Sequence, residues 1–429
     1  MITNEQIIEL LKEEAKPALG CTEPVACAYA CAKCYEILKD TPDFIEVEVS
    51  GNILKNGMGV GIPGTGMIGL PIAVALGVIC GKTEYGLEVL KDVLINDNLT
   101  KAKELLNKDI IRIKLAKDAP DILYVKATCI ANNNSVSVTI QKSHTNIVEI
   151  TYNGTTIFSQ SSKTHSKDSN SDLRSQITIE RIWEFVNNVN TKDIEFLLEG
   201  AKMNKEIALE GKKNDYGYKV GKTLLNYSQG KDIDENIINR SIIFTTAASD
   251  ARMDGCPKPV MTNSGSGNQG LTVYLPILVS SETLNSSEED LIKALAISNL
   301  VATHAHYYNG HLSAFCGLTI AGLGAASGIS YLLDKDYSKI INTIKGMISN
   351  ISGMMCDGAK TGCSLKVYSS VSAAVLAAIQ SHNNIFVFND GIVDEDIETT
   401  IQNLGKISNP GMVQTDKTII DIMDNKVCN

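Results

Sequence analysis

The sequence is poor in aromatic residues: one Trp, eight Phe and fourteen Tyr make up only 5% of its 429 positions. A core short of large rings fills its volume with aliphatic and small side chains, which suits helices whose backbones approach closely. Basic charge is also in deficit, with 39 Lys and Arg against 49 Asp and Glu and a formal charge of -10. No cluster of Lys and Arg builds a basic face, so nucleic acid is excluded as a partner. Nucleotide signatures are missing too. Ile62-Pro63-Gly64-Thr65-Gly66 lacks the Gly-Lys-Ser/Thr ending of a phosphate loop, and no Gly-x-Gly-x-x-Gly after a strand is followed by a suitably spaced acid. A tight turn against an active site is the better account of that loop. His304, His306 and His311 match no zinc motif, because H-x-H on a helix turns its two rings to different faces. No pyridoxal-phosphate pattern and no internal repeat are evident.

Long apolar runs are limited to residues 314–333, built from Gly, Ala and Ser without basic or aromatic flanks. The segment reads as a buried helix with close neighbours, and no membrane partner is expected. The first residues run straight into an amphipathic helix with no signal peptide. The expected location is therefore the reducing cytoplasm, where clustered cysteines serve metals or catalysis more often than disulfides.

The length exceeds the usual size of one hydrophobic core, so more than one domain is expected. Apolar positions at Ile7, Ile8, Leu10 and Leu11 predict a short helix over 4–16 that Pro17 stops. A second helix is predicted over 24–39, with Thr22 as N-cap and Pro24 in its first turn, which places Cys21 at a helix N-terminus. Phe44 to Ser50 alternates apolar and acidic residues as a half-exposed strand does, and feeds a glycine-rich stretch over 51–66. Short strands follow at 110–115, 123–130, 135–140 and 147–152, separated by Asn-rich turns, and predict a small antiparallel sheet. Residues 160–176 are polar and of low complexity, as a linker is, and from 177 onward the periodicity is helical. The expected fold class is α+β. N-terminal helices and Gly-rich loops over 1–107 would pack on a mainly helical catalytic domain over 177–429, with a small antiparallel β domain over 108–165 between them.

Cysteine is not scarce, at eleven residues, and three stand among small residues: Cys316 in Phe-Cys-Gly-Leu, and Cys356 and Cys363 in Cys-Asp-Gly-Ala-Lys-Thr-Gly-Cys. Three thiolates can hold an iron–sulfur cube by three corners and leave the fourth iron open to substrate, while neighbouring glycines admit backbone N–H groups to the sulfurs. The residues alone leave open a plainer account, three small hydrophobes in the core. A sharper decoy is Cys27, Cys31 and Cys34, whose C-x3-C-x2-C spacing is that of radical S-adenosylmethionine enzymes. Those enzymes carry the motif on a loop with an aromatic residue before the last cysteine. Here Lys33 stands there and the segment is helical, so i, i+4 and i+7 form a core-facing stripe.

Residues 261–270 (Met-Thr-Asn-Ser-Gly-Ser-Gly-Asn-Gln-Gly) form a polar loop before an apolar run. Alternating glycines and hydroxyl or amide side chains let successive N–H groups converge on an anion, which predicts a carboxylate-binding nest at a helix start. Asp250, Arg252 and Asp254 are read as a polar turn rather than as catalytic residues.

Taken together, Ala18-Leu19-Gly20-Cys21-Thr22-Glu23-Pro24, Gly51-Asn52-Ile53-Leu54-Lys55-Asn56, Ile62-Pro63-Gly64-Thr65, Asn263 to Gly270 and the Cys316, Cys356, Cys363 set resemble the L-cysteine desulfidases. That family is related to the iron–sulfur L-serine dehydratases through the helical half, and the likeness runs in order from about residue 7 to about residue 415. It implies a [4Fe-4S] cluster ligated by Cys316, Cys356 and Cys363. It also implies a catalytic Cys21, as base or as displaceable fourth ligand, and elimination of sulfide from L-cysteine without pyridoxal phosphate. A thiolate at Cys21 beside a helix N-terminus would take the α-proton. Ser264, Ser266, Asn268 and Gln269, with Asn52 and Lys55, would fix the substrate carboxylate, and His306 would contact substrate or donate a proton. Cys428 resembles the C-terminal cysteine that caps the open iron in some serine dehydratases, but is expected to be an incidental surface thiol. An L-serine dehydratase and a non-catalytic cluster-based redox or amino-acid sensor are the alternatives. A homo-oligomer is compatible with all three.

Overall fold

Alternation of apolar and acidic residues makes β2 (Phe44–Val49) a strand with Ile45, Val47 and Val49 fully buried on one face. In the computed structural model, which describes residues 2–160, 173–228, 236–310 and 314–427, β2 lies inside a six-stranded sheet. β1 (Pro17–Ala18), β3 (Gly61–Ile62) and β4 (Met67–Ile68) are two-residue pieces, β3 pairing with β4 and β1 with a strand of the second half. The sheet order is β5-β2-β6-β7-β8-β9, with β5 Ile111–Leu115, β6 Tyr124–Ala131, β7 Asn134–Gln141, β8 Ile147–Tyr152 and β9 Thr155–Ser159. All pairs are antiparallel except β2 with β5, which run parallel. A parallel pair needs a long crossover, and the helices between the two strands supply it. The sheet is therefore mixed rather than purely antiparallel. The exposed strand β9 carries no buried stripe that periodicity could detect.

One face of this sheet is covered by α2 (Thr22–Leu38), α3 (Gly51–Gly57), α4 (Leu70–Cys80) and α5 (Asn98–Asn107) in a shared core. Cys27, Cys31 and Cys34 point into it with no exposed surface, as the stripe predicts, and the Cys34 thiol lies 3.6 Å from the carbonyls of Ala127 and Val136. The expected boundary at residue 108 thus cuts through one hydrophobic core, because β2 is the centre of the sheet. α1 (Asn4–Glu14) instead packs Ile7, Leu10 and Leu11 with helices of the second half.

That second half comprises α6 (Ile179–Asn188), α7 (Phe196–Lys213), α8 (Val220–Tyr227), α9 (Ile237–Met253), β10 (Val260–Met261), α10 (Gly267–Leu284), α11 (Glu288–Asn309), α12 (Gly317–Asp334), α13 (Tyr337–Asn350), α14 (Cys363–His382), α15 (Ile397–Ser408) and α16 (Val413–Val427). α9, α10 and α12 are the most deeply buried helices, with the half-buried α14 packed on α9 and α12, and small residues allow close contact: a Cβ on Gly324 would lie 2.2 Å from the Ser298 carbonyl oxygen. The run over 314–333 is thus largely the buried helix its composition predicts. Among the described residues one helix, Cys363–His382, is long and apolar enough to cross a membrane, and half of its most apolar window is buried against neighbouring helices. His311, Cys428 and most of the polar linker lie outside the described residues.

Candidate active site

Segments far apart in sequence meet where the N-terminal turn touches the helical half. β1 pairs with β10, and Thr262 donates both its N–H (2.9 Å) and its hydroxyl (2.8 Å) to the Lys16 carbonyl. This fastens the Cys21 turn to the loop over 263–270. The 62–66 loop is a turn braced between them: Pro63 packs on Gly20, and the Gly64 N–H donates to the Gly255 carbonyl at 2.9 Å.

The cysteine loops converge by backbone pairing. Cys316 N–H donates to Met354 O (2.7 Å) and Cys356 N–H to Ala314 O (2.6 Å), an antiparallel register that sets the two thiols side by side. Their sulfurs share a hydrogen bond. Cys363 opens α14, close enough to feel the charges of Cys356 and Arg252, and it packs with Cys21, Val60 and Met253. A parallel bridge from Gly59 to Lys360 joins this loop to the N-terminal half. Gly358, at φ +99°, lies so close to α3 that a Cβ there would sit 2.2 Å from the Lys55 carbonyl oxygen. All three expected cluster cysteines and Cys21 are therefore gathered in one place.

Three of these cysteines stand at helix starts. Cys21 is the N-cap of α2, a correction to the expected Thr22, which is the first helical residue; Cys316 is the N-cap of α12, and Cys363 is the first residue of α14. Helix N-termini carry partial positive charge and unpaired N–H groups. Cys356 is pulled below the ordinary thiol value, first by the S–H of Cys316 and then by the positive charges of Lys55 and Lys366. Cys316 is pushed up by the same hydrogen bond and by burial. The loop itself is braced by Lys366, which donates to Met355 O and the Asp357 carboxylate (both 2.6 Å), and by a second pair between Lys360 and Asp357.

Cys21 behaves differently from the expected thiolate. Burial pushes it up to about 11, outweighing the Arg252 guanidinium whose Nη2 lies 3.3 Å from its Sγ. A single helix terminus does not overcome desolvation of a fully buried sulfur.

Among the described residues, no three His, Cys, Asp or Glu side chains converge tightly enough to hold a single metal ion. A four-iron cube distributes its ligands over separate irons. Its donor chemistry fits this site: soft thiols from two loops, one of them held below the ordinary thiol value, at helix N-termini and beside Lys55 and Lys366. Three buried polar atoms here also have no protein partner: Asn52 Oδ1, Gln269 Oε1 and Arg252 Nε.

The expected substrate residues differ in how far they are already engaged. Ser266 caps α10, its hydroxyl accepting from Gln269 N–H, and the Ser264 hydroxyl donates to Asn263 Oδ1 (3.1 Å). Asn268 accepts from Arg252 Nη1 at 3.2 Å, whereas Gln269 keeps Oε1 unpaired. Lys55 is buried and pairs at 2.5 Å with Asp416 of α16. His306 is half-buried on α11, three residues beyond Thr303, which together with Asn299 contacts Asn263. His304 faces elsewhere, fully buried and 2.6 Å from Glu398, as its spacing from His306 requires.

Two residues in contact with this constellation escaped the sequence reading. Arg252 is not in a polar turn; it lies in the last turn of α9, 7% exposed, bonded to Gly20 O, Cys21 Sγ and Asn268 Oδ1. The available signal was an arginine following an uncharged run, Phe-Thr-Thr-Ala-Ala-Ser over 244–249. Glu23, in the first turn of α2, accepts from Asn56 Nδ2 (3.0 Å) and lies near enough to Cys21 to raise its pKa.

Comparison with known proteins adds a family. Residues 84–421 match the family described as serine dehydratase alpha chain, a span that takes in the cluster cysteines and Arg252 but begins after Cys21 and Glu23. Full-length relatives carry the name UPF0597 protein. The chain is 44% identical to one from Parabacteroides distasonis, covering 100% of this chain and 99% of that protein. It is 41% identical to one from Bacteroides fragilis, with 99% of each covered. Another, from Clostridium tetani, is 44% identical over 99% of each.

Proposed function

The chain belongs to the serine dehydratase alpha-chain family, and from that premise we propose that it is an L-cysteine desulfidase, a carbon–sulfur lyase carrying a [4Fe-4S] cluster. The observation that supports this most is the meeting of Cys21 with Cys316, Cys356 and Cys363 from the other half of the chain. The three later cysteines would hold the cluster. When bound, it supplies a Lewis acid that stabilises charge on the departing β-substituent.

The chain's own groups do the rest. Cys21 takes the α-proton in its thiolate form, which Arg252 favours at 3.3 Å. The β-sulfur leaves as hydrosulfide and carries that proton away as hydrogen sulfide, leaving 2-aminoacrylate, which water converts to pyruvate and ammonia. Gln269, through its unpaired Oε1, and Asn52 would orient substrate beside the 263–270 loop, with Ser264 and Ser266 at its mouth and Asn268 positioned through Arg252. Lys55 holds positive charge over Cys356, and His306 stands on the helix face that supports the loop. The thiols suit the reducing cytoplasm.

The family description keeps L-serine dehydration as the second reading, since the same site geometry serves a hydroxyl leaving group. Anaerobic purification and assay separate the readings. A brown protein with about four irons per chain that releases sulfide and pyruvate from L-cysteine is expected. Pyruvate from L-serine alone would transfer the assignment to a dehydratase. Amino-acid binding without product would make the chain a sensor.

A further inference from the structure

Arg252 presents an imbalance that its protein contacts do not resolve. The residue is 7% exposed, yet among the described residues it has no ion pair: Nη1 donates to Asn268 Oδ1 (3.2 Å) and meets Met253 Sδ (3.2 Å), Nη2 donates to Gly20 O (3.1 Å) and Cys21 Sγ (3.3 Å), and Nε has no partner. A buried cation with only neutral partners is costly unless an anion joins it. Gly267 shapes the space beside it, because a Cβ there would lie 2.2 Å from Nε. The neighbouring carboxylates face other groups. Asp250 accepts from Gly221 N–H (3.1 Å) through one oxygen and leaves Oδ1 unpartnered, Asp254 accepts from Gly217 N–H (3.0 Å), Asp416 holds Lys55, and Asp357 holds Lys360 and Lys366.

Two residues after Cys21, and near enough to raise its pKa, the Glu23 carboxylate accepts among the described residues from neutral donors, Asn56 Nδ2 (3.0 Å) and the Thr22 hydroxyl (3.3 Å). Among the described residues it makes no ion pair either. The thiol of Cys21 thus has close to it a cation and an anion, neither of which forms an ion pair with another described residue.

An α-amino acid has this arrangement reversed around one carbon: the α-proton, the carboxylate and the ammonium are all attached to Cα. A base that takes the α-proton must therefore lie close to both the group that holds the carboxylate and the group that holds the ammonium. We propose that Arg252 and Glu23 form a zwitterion clamp about Cys21, Arg252 binding the substrate carboxylate and Glu23 its ammonium. The substrate class is then free α-amino acids, and peptides, amines and simple carboxylic acids are rejected. The clamp rests on the lyase reading for the role of Cys21, and it gives Arg252 the anchoring function that the 263–270 loop alone would otherwise have.

The test is calorimetric binding to the anaerobically purified holoprotein, with L-cysteine, cysteamine (no carboxylate) and 3-mercaptopropionate (no ammonium) as probes. Wild type should prefer L-cysteine over either analogue by on the order of 100-fold, the scale of a charge-assisted pair. Arg252→Gln should lose that factor for L-cysteine and 3-mercaptopropionate while its affinity for cysteamine stays the same. Glu23→Gln should lose it for L-cysteine and cysteamine but not for 3-mercaptopropionate. Arg252→Lys, which keeps the charge without the planar fork, should fall between wild type and Arg252→Gln, and stands in should the glutamine variant not fold. Equal weakening of all three probes, or none, overturns the clamp. Wild type that discriminates as stated but releases no sulfide would overturn the lyase reading and leave the clamp standing. Wild type that turns over L-cysteine while the variants keep full discrimination would overturn the clamp alone.

Discussion

Replacing Gly358 with alanine tests the joint between the two halves of the chain at one atom. Gly358 stands between Cys356 and Cys363 at φ +99°, and its missing Cβ would be 2.2 Å from the Lys55 carbonyl oxygen and 3.0 Å from the carbonyl carbon. The oxygen belongs to backbone, which cannot rotate away, so relief requires the loop and α3 to part by about 1 Å. A left-handed φ on alanine costs about 1–2 kcal/mol, and the overlap adds about 1–3 kcal/mol. Gly154 is the control: its φ is +75°, but nothing lies within 4 Å of its Cβ position. Gly154→Ala should therefore cost about 1 kcal/mol and leave the site untouched. Gly358→Ala should cost about 2–5 kcal/mol and also separate Cys356 from Cys363. Urea unfolding of the metal-free variants measures the first effect, and iron and acid-labile sulfide after anaerobic reconstitution measure the second. If Gly358→Ala unfolds like Gly154→Ala and still binds a full complement of iron, the close contact between α3 and the cysteine loop is refuted.

Three further outcomes follow from other parts of the molecule. Burial raises Asp250 from 3.8 to about 6, so the folded state binds the extra proton and stability falls as pH rises from about 4 to about 6. Asp250→Asn should remove that slope and raise stability at pH 8 by about 2–3 kcal/mol, with little change at pH 4; a pH-independent difference in melting temperature would refute it. Asp416→Asn leaves the Lys55 ammonium, 1% exposed, without its carboxylate and should cost about 3 kcal/mol in urea unfolding. Lys55→Met should cost less, because Asp416 is 16% exposed and can be hydrated; the reverse order would count against the pairing. Cys31→Ala and Cys34→Ala should lower stability by about 1 kcal/mol each. Both should leave reconstituted iron unchanged, and loss of iron would move the cluster to the N-terminal core.

Much of the fold was legible because periodicity records burial. β2, β5 to β8, α1 and α2 all carry their inward faces as alternating or helical stripes, and the Cys27, Cys31, Cys34 stripe resolves as core for the same reason. α3 was hidden inside a glycine-rich stretch whose composition suggests turns, and β9 has no buried face to leave a pattern. The core shared across residue 108 was hidden for a different cause. β2 joins strands that follow it by some sixty to eighty residues in the chain, and strand pairing at that distance depends on backbone hydrogen bonds that composition does not encode.

The sequence by itself determined most of the elements, the candidate cysteines and the polar loop, because each is a local matter of residue type and spacing. Only the tertiary structure decided which of these meet. The pairing of 314–316 with 354–356 sets two thiols together, and the β1–β10 ladder brings Cys21 to them. Packing also decided what the groups become once there. Burial raises the Cys21 thiol, the Cys316 hydrogen bond lowers Cys356, and Arg252 is a buried cation rather than a surface turn. Desolvation and contact are properties of three-dimensional neighbours, and a linear sequence does not record them.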